Sequence, residues 1–270
     1  MKTLCLNQNL ISLETPIIMG ILNVTEDSFF DGGRYTSETA ILKRAEQILE
    51  EGATIIDLGA VSTKPNAKEI DENQELESIQ KHLRLILSHF PEAYISIDTF
   101  RATVADMAIR EGAALINDVS GGADPNMFEV AGKHQVPYIL THNNRNQPLE
   151  TKDLIPNMLS FFGNNIERLV SKGVKDIIID PGFGFGKTVE QNYYLMNHLK
   201  TFLILNFPIL VGISRKSMIQ KILETSPAES LAGTIAINTV ALDRGASILR
   251  VHDVKQCAEV IKLTNVLHSL

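Results

Sequence analysis

The chain has 270 residues, 44% of them hydrophobic, and a formal net charge of −7. That length suits either two ordinary domains or one α/β barrel, and the acidic balance, with no basic tract, excludes broad nucleic-acid binding, so any anionic ligand has to be held by a few local cations. Cys5 and Cys257 have no metal-like or redox-like spacing and are expected as inert thiols of a reducing, cytoplasmic setting; the longest apolar passage, Phe202 to Ile213, is broken by Asn206 and Pro208 and falls short of the ~20 residues of a membrane helix.

Residues 1–15 read as a lead-in without the apolar centre of a signal peptide, and without secretion the sequon Asn23-Val24-Thr25 carries no meaning. From residue 16 to 268, eight short β-rich apolar runs follow one another: IIMGILNV, TIIDLGAV, YISIDTF, ALINDVS, PYILTH, DIIIDPG, PILVGIS and SILRVHDV. Between most of them lie patterns with apolar residues at three and four spacing, such as SETAILKRAEQILEEG, NQELESIQKHLRLILSHF, MLSFFGNNIERLVSKG and ESLAGTIAINTVALDRG. Gly52, Gly112, Gly173 and Gly245 each follow a charged residue at the end of such a pattern, the place where a helix needs a left-handed cap. Strands without inside–outside alternation imply burial on both faces, which flanking helices provide in a parallel sheet. Eight units in this length predict an α/β fold, a (β/α)8 TIM barrel forming a single domain over 1–270, with a doubly wound open sheet as the alternative. RKSMIQKILE, residues 215–224, reads as an extra helix after the seventh strand.

In a barrel the site forms where the strands end, and each run here turns from apolar to polar at its C-terminal end. Asn23 ends the first strand, Asp57 the second, Asp98 the third, Asn117 and Asp118 the fourth, His142 the fifth and Asp180 the sixth. Ser214 to Lys216 end the seventh, and Arg250 with His252 the eighth. Three acids and an amide near one lysine suit a flat heterocycle with a row of N–H donors beside ring acceptors, such as a guanine-like or pterin-like ring. Arg250, His252 and Asn23 suit a phosphate group or its metal, since an arginine fork matches phosphate oxygens and Mg²⁺ takes oxygen ligands. The stretch DPGFGFGKT, Asp180 to Thr188, is neither a P-loop, because Pro181 stands where the first glycine belongs, nor a dinucleotide fingerprint, because Gly182, Gly184 and Gly186 fall at even spacing. His82, His89, His134, His198 and His268 lack a zinc-like partner set and are expected at the surface.

MGILNVTEDSFFDGGRY, SIDTFRATVADMAIREGAALINDVSGG, DPGFGFGKT, GISRKSMI and LRVHDV, in this order, resemble the motifs of the bacterial dihydropteroate synthase family, a group of pterin-binding barrels. The resemblance implies a (β/α)8 barrel that joins 6-hydroxymethyl-7,8-dihydropterin diphosphate to p-aminobenzoate and releases pyrophosphate in folate biosynthesis. It implies that Asp98, Asn117, Asp180 and Lys216 line the pterin pocket with Phe185 near the ring, and that Asp98, Asp180, Lys216 and Asp31 carry the catalysis. Asn23 is then the residue for Mg²⁺, and Arg250 with His252 the residues for the phosphates. Phe29, Asp31, Thr63, Pro65 and Ser217 would meet the second substrate, in loops over 27–33 and 62–66 that close on it. For Asp57 a structural role and ligand contact are both open, and Lys187 is expected as a solvated helix-start residue. In the family the pyrophosphate is thought to leave first, giving a pterin methylene cation that the arylamine attacks. A homodimer and sensitivity to sulfonamides also follow from the resemblance.

The chain departs from the family pattern in three places. Glu26 and Phe30 replace a Pro and a Ser of the first loop. Ala60, Val61, Lys64 and Asn66 replace Gly, Glu, Arg and Gly of the second, where a lysine keeps the charge but loses the planar fork. Thr141-His142-Asn143 stands for Met-His-Met. Two rival functions remain in view: a methyltetrahydrofolate methyltransferase, which needs no diphosphate cradle, and a barrel that binds a pterin without turnover.

Overall fold

A computed structural model describes residues 3–24, 37–60, 70–145 and 148–269. Each of the eight apolar runs contains a strand. The barrel strands are β3 (Ile17–Asn23), β4 (Ile55–Gly59), β5 (Tyr94–Asp98), β6 (Leu115–Asp118), β7 (Tyr138–Thr141), β8 (Ile177–Asp180), β9 (Leu210–Val211) and β10 (Ile248–Val251). They pair in parallel in the order β8-β7-β6-β5-β4-β3-β10-β9. The ring is completed between its two end strands by a parallel bridge from Ile179 to Ile209, with Ile179 N donating to Pro208 O at 3.0 Å. An open doubly wound sheet is thereby excluded.

Helices α1 (Ser37–Glu50), α2 (Glu72–His89), α3 (Ala102–Arg110), α4 (Met127–His134), α5 (Thr151–Ser171), α6 (Val189–Asn197), α7 (Ser217–Leu223), α8 (Leu231–Asp243) and α9 (Val254–Ser269) alternate with the strands. α7 is the expected extra helix. Their starts and stops have local causes: α2 opens with a reciprocal Asp71–Gln74 capping box and α6 with a Thr188–Gln191 box. Gly52, Gly112, Gly173 and Gly245 take φ of 102°, 107°, 92° and 93°, the left-handed turn out of a helix that their positions predict.

The strands do alternate, between two interiors that are both apolar at the lower end. Outward residues such as Ile56, Leu58, Ile95, Ile97, Leu140 and Val211 pack on the helices. Inward residues Ile17, Met19, Ile55, Leu115, Ile139, Ile178, Leu210 and Ile248 form a separate cluster inside the barrel. The lead-in is more than a connector. It folds into an antiparallel hairpin, β1 (Thr3–Leu6) and β2 (Asn9–Ser12), whose Leu4 and Leu6, with Leu13, join the inner cluster. Together they close the barrel's N-terminal end, and Cys5 N fastens the hairpin to Asp176 Oδ2 at 3.3 Å.

Candidate active site

Because side chains repeat every two residues along a strand, the inward face continues above the apolar cluster to a fixed set of positions. Two residues beyond Ile55, Leu115, Ile139, Ile178 and Ile248 stand Asp57, Asn117, Thr141, Asp180 and Arg250, and β5 adds Ser96 and Asp98 by the same parity. All are buried except Arg250, which is partly exposed. Strand chemistry therefore sets a greasy floor and a polar mouth on the same face.

The polar mouth is cross-braced. Arg250 donates from Nε to Asp57 Oδ2 and from Nη2 to Asp98 Oδ2, both at 2.6 Å. Asn117 Nδ2 donates to Asp57 Oδ2 at 3.1 Å, which turns its Oδ1 into an acceptor for something else. Asp57 thus holds Arg250 and Asn117 in place. Asp118, one residue on and facing outward, is structural: it accepts from Ser120 N and Gly122 N at 2.8 Å each and from the Tyr138 hydroxyl.

Burial raises the Asp98 carboxyl to about 7, with Arg250 pulling the other way and Asp57 adding repulsion. Asp180 is also raised by burial, against the attraction of Lys216. Burial lowers the Lys216 ammonium to about 8, and Asp180 opposes that shift. Arg250 is lowered by burial, yet Asp57 and Asp98 more than offset this and hold it above its ordinary range. A pocket with acids raised and a lysine lowered toward neutrality is poised for charge exchange with a ligand.

Lys216 is delivered by a strained corner. Arg215 has φ of 54°, the left-handed region, and its guanidinium forks onto Asp253 at 3.0 and 2.5 Å. The next residue, Lys216, caps α7 and donates from Nζ to Phe183 O at 2.6 Å. Its ammonium lies 4.8 Å from the centre of the Phe185 ring, and the Arg145 guanidinium lies 4.9 Å from the same ring. At the end of the neighbouring strand β10, the His252 ring meets Ser214 Oγ at 3.1 Å, and its backbone carbonyl accepts from Arg44 Nη2 at 2.5 Å. Burial, with Arg250 and Arg215 nearby, lowers His252 to about 4, so it is neutral at ordinary pH.

The sequence motifs and this geometry agree with known relatives. The pterin binding enzyme family matches residues 19–252. The Bacillus subtilis (strain 168) dihydropteroate synthase is 41% identical over 94% of this chain and 89% of its own length. The chain belongs to the dihydropteroate synthase family. The Escherichia coli (strain K12) synthase is 38% identical, covering 94% of this chain and 92% of its own. Among solved structures, a Xanthomonas albilineans dihydropteroate synthase with 4-aminobenzoic acid superposes with a TM-score of 0.94 at 32% identity, covering 99% of this chain and 98% of that one. A Yersinia pestis dihydropteroate synthase in complex with a sulfonamide drug gives 0.92 at 36%, with both chains fully covered at 100%.

In this chain the expected pterin set, Asp98, Asn117, Asp180 and Lys216, converges on one mouth with Arg250. Ser217 is exposed at the first turn of α7, beside Lys216. Asn23 ends β3 exposed. Phe29, Asp31, Thr63 and Pro65, like the altered positions Glu26, Phe30, Val61, Lys64 and Asn66, lie outside the described residues.

Two expectations are corrected. Lys187 is buried rather than solvated: Nζ donates to the carbonyls of Gly182, His142 and Phe185 at 2.8, 3.1 and 3.2 Å. His134 is largely covered and pairs with Asp106 Oδ1 at 2.7 Å, and His82 is half-buried, while His89, His198 and His268 are exposed as expected. Ser96 was passed over and Thr141 entered only as a departure from the Met-His-Met pattern; both hydroxyls are buried with no partner among the described residues, and strand parity with Asp98 and Ile139 was the available signal. Arg145 offered none, since its stacking on Phe185 joins two separate loops.

The surroundings of Asn23 bear on Mg²⁺. Gly59 faces it across the β3–β4 pair, and a Cβ there would stand 3.2 Å from Asp98 Cβ and 3.5 Å from Asn23 Oδ1. An exposed amide oxygen, left uncovered because its strand partner Gly59 has no side chain, fits an ion that keeps most of its waters and takes few protein ligands. The described residues contain no group of three or more His, Cys, Asp or Glu able to hold a metal by themselves.

Proposed function

We propose that the strand-end mouth condenses 6-hydroxymethyl-7,8-dihydropterin diphosphate with p-aminobenzoate, releasing pyrophosphate, by arranging charge rather than by removing a proton. The observation that carries this is the convergence of two buried carboxylates, an amide oxygen and an ammonium around one polar mouth, in a chain of the dihydropteroate synthase family. Asp98, Asp180 and Asn117 Oδ1 accept the N–H groups of the pterin ring, and Lys216 donates to a ring oxygen or nitrogen. As the carbon–oxygen bond to the diphosphate breaks, positive charge grows on the pterin methylene, and the nearby carboxylates favour it. The arylamine nitrogen then forms the new carbon–nitrogen bond and gives its proton to solvent or to the departing anion.

Arg250 Nη1, the guanidinium nitrogen not committed to Asp57 or Asp98, and the neutral His252 ring are the groups offered to the diphosphate. Asn23 would hold Mg²⁺ together with the diphosphate, and that ion supplies neutralisation of the leaving group. Ser217, at the mouth beside Lys216, is offered to p-aminobenzoate. Phe29, Asp31, Thr63 and Pro65 keep the roles that the family motif implies.

The deciding experiment incubates the purified chain with Mg²⁺ and both substrates and follows pyrophosphate and dihydropteroate. Pterin binding without turnover would support a silent barrel instead, and methyl transfer from methyltetrahydrofolate the other rival.

The chain is also read as a cytoplasmic homodimer. Cys5 and Cys257 are free thiols, Cys257 buried, and among the described residues no helix is long and apolar enough to cross a membrane. α8 lacks a polar stripe although much of it is only half-buried, and its neighbours α7 and α9 expose Ile222, Leu223, Leu263, Val266 and Leu267. A helix apolar all round needs a cover, and a second copy of this face supplies one. Sedimentation equilibrium should give a dimer that Ile222→Asp with Leu267→Asp converts to monomer; a monomeric parent chain overturns the reading.

A further inference from the structure

The lysine of the DPGFGFGKT stretch occupies an unusual place for a helix-start residue. An ammonium has three donors, and Lys187 Nζ finds three carbonyl acceptors, from Gly182 and Phe185 of the loop after β8 and from His142 of the loop after β7. The residue is 9% exposed. Its backbone is fixed separately, because Asn192 Nδ2 donates to Lys187 O at 3.2 Å and Thr188 is half of the α6 capping box. The head group is therefore available for a task other than starting the helix.

The two loops it joins are pressed together by glycine. At Gly182, with φ of 69°, a Cβ would stand 2.0 Å from His142 O, and at Gly186, with φ of 68°, one would stand 2.4 Å from Arg145 N. The carbonyls that line this contact all carry negative partial charge, and the lysine is the cation among them. The same loop carries three parts of the candidate site. Gly182 N donates to Asp180 Oδ1 at 2.8 Å. Phe183 O accepts from Lys216 Nζ at 2.6 Å. Phe185 presents its ring to Lys216.

We infer that Lys187 is a positioning residue for the condensation: its ammonium draws the two loops onto one point and thereby fixes Asp180, the Phe183 carbonyl and the Phe185 ring around the substrates. The inference rests on the proposed activity. Burial works against the charge of Lys187 while the nearby Asp180 favours it, so the lysine is held in place by acceptors rather than by solvent.

The test uses Lys187→Ala and Lys187→Met, with the unaltered enzyme as reference. If that enzyme shows no turnover, the activity itself is refuted and this inference with it. If it turns over, kcat/KM should fall by about 10- to 100-fold in both variants, the scale of a small misplacement of reacting groups. Methylammonium should restore Lys187→Ala in a saturable way, because it can enter the vacated carbonyl cage. It should leave Lys187→Met unchanged, since the side chain fills that space, and tetramethylammonium should rescue neither. Normal kinetics in either folded variant, or a Lys187→Ala defect that methylammonium does not relieve, overturns the inference. Should neither variant fold, ¹⁵N NMR of the unaltered enzyme decides: a lysine ammonium with slowly exchanging protons that shifts on binding 7,8-dihydropteroate, and persists in Lys216→Met, supports it, and the absence of such a signal refutes it.

Discussion

The two ends of the barrel interior are made by the same strands, on the same face, two residues apart, and they differ in almost everything else. At the lower end Ile55, Leu115, Ile139, Ile178 and Ile248 pack on each other beneath a hairpin plug. At the upper end Asp57, Asn117, Thr141, Asp180 and Arg250 replace them. One rise of about 7 Å along a strand separates the two levels. The lower level gains from every methylene it hides from water. The upper level carries charges whose burial is unfavourable unless they are paired. The barrel is thus stabilised at one end and poised at the other, and substitutions should separate the two.

The largest effect is expected at the brace of the upper level. Arg250→Met leaves Asp57 and Asp98 facing each other without their cation, and removing one partner of a buried ionic set costs about 3–5 kcal/mol. Denaturant unfolding at pH 8 should show this loss. Lowering the pH should return part of it, because the Asp98 carboxyl, already raised by burial, then takes a proton and no longer repels Asp57. A loss independent of pH would mean that packing of the arginine stem, not charge, was removed. Lys216→Ala should instead spare stability and reduce turnover by about 10²–10³-fold, the scale seen when one electrostatic donor is taken from an active site. Near-normal turnover in that variant would remove Lys216 from the pterin pocket.

A smaller effect follows from the two shifted groups of the mouth. In the free enzyme Asp98 titrates near 7 and Lys216 near 8. Asp98 must be ionised to accept ring N–H groups and Lys216 protonated to donate. The pH profile of kcat/KM should therefore rise through about 7, fall through about 8, and lose its lower limb in Asp98→Asn. The stability sign runs the other way. The folded pKa of Asp98 lies above its unfolded 3.8, so the folded state binds the extra proton in between, and that contribution is present below 3.8 and lost as pH rises to about 7. A flat activity profile from pH 6 to 9 would break the link between these groups and the chemistry.

The sequence made the barrel legible because eight apolar runs and the glycines that end helices are local signals. The hairpin escaped because its strands are four residues each and its turn uses Asn7 and Gln8, which adopt φ of 45° and 67° without the glycine that usually announces such a turn. At the site, the strand-end acids could be read one by one. Their pairing could not, since Arg250 meets Asp57 across 193 residues of chain. Lys187 was misread for a related reason. A charged residue at a helix start defaults to solvent, and only the contact between two loops encloses it. The parity that links Ile139 to Thr141 was present in the sequence but went unused, because a run that is apolar on both faces hides its period of two.

That parity gives the finest test of the two levels. Ile139 and Thr141 share the inward face of β7, both fully buried. Ile139→Val removes one methylene from the lower cluster and should cost about 1 kcal/mol, a fall in Tm of about 2–4 °C for a chain of this size, with kinetics unchanged. Thr141→Val keeps the shape and deletes a hydroxyl that has no partner among the described residues. It should leave stability unaltered or improve it by up to about 1 kcal/mol, because a buried donor without an acceptor is a penalty in the unliganded fold. If the hydroxyl takes a hydrogen bond from the bound pterin or a water beneath it, the same change weakens pterin binding in a fluorescence titration while Tm holds or rises. Loss of stability in Thr141→Val comparable to that of Ile139→Val would mean that the upper level is ordinary core, and the contrast between the two ends would fail at β7.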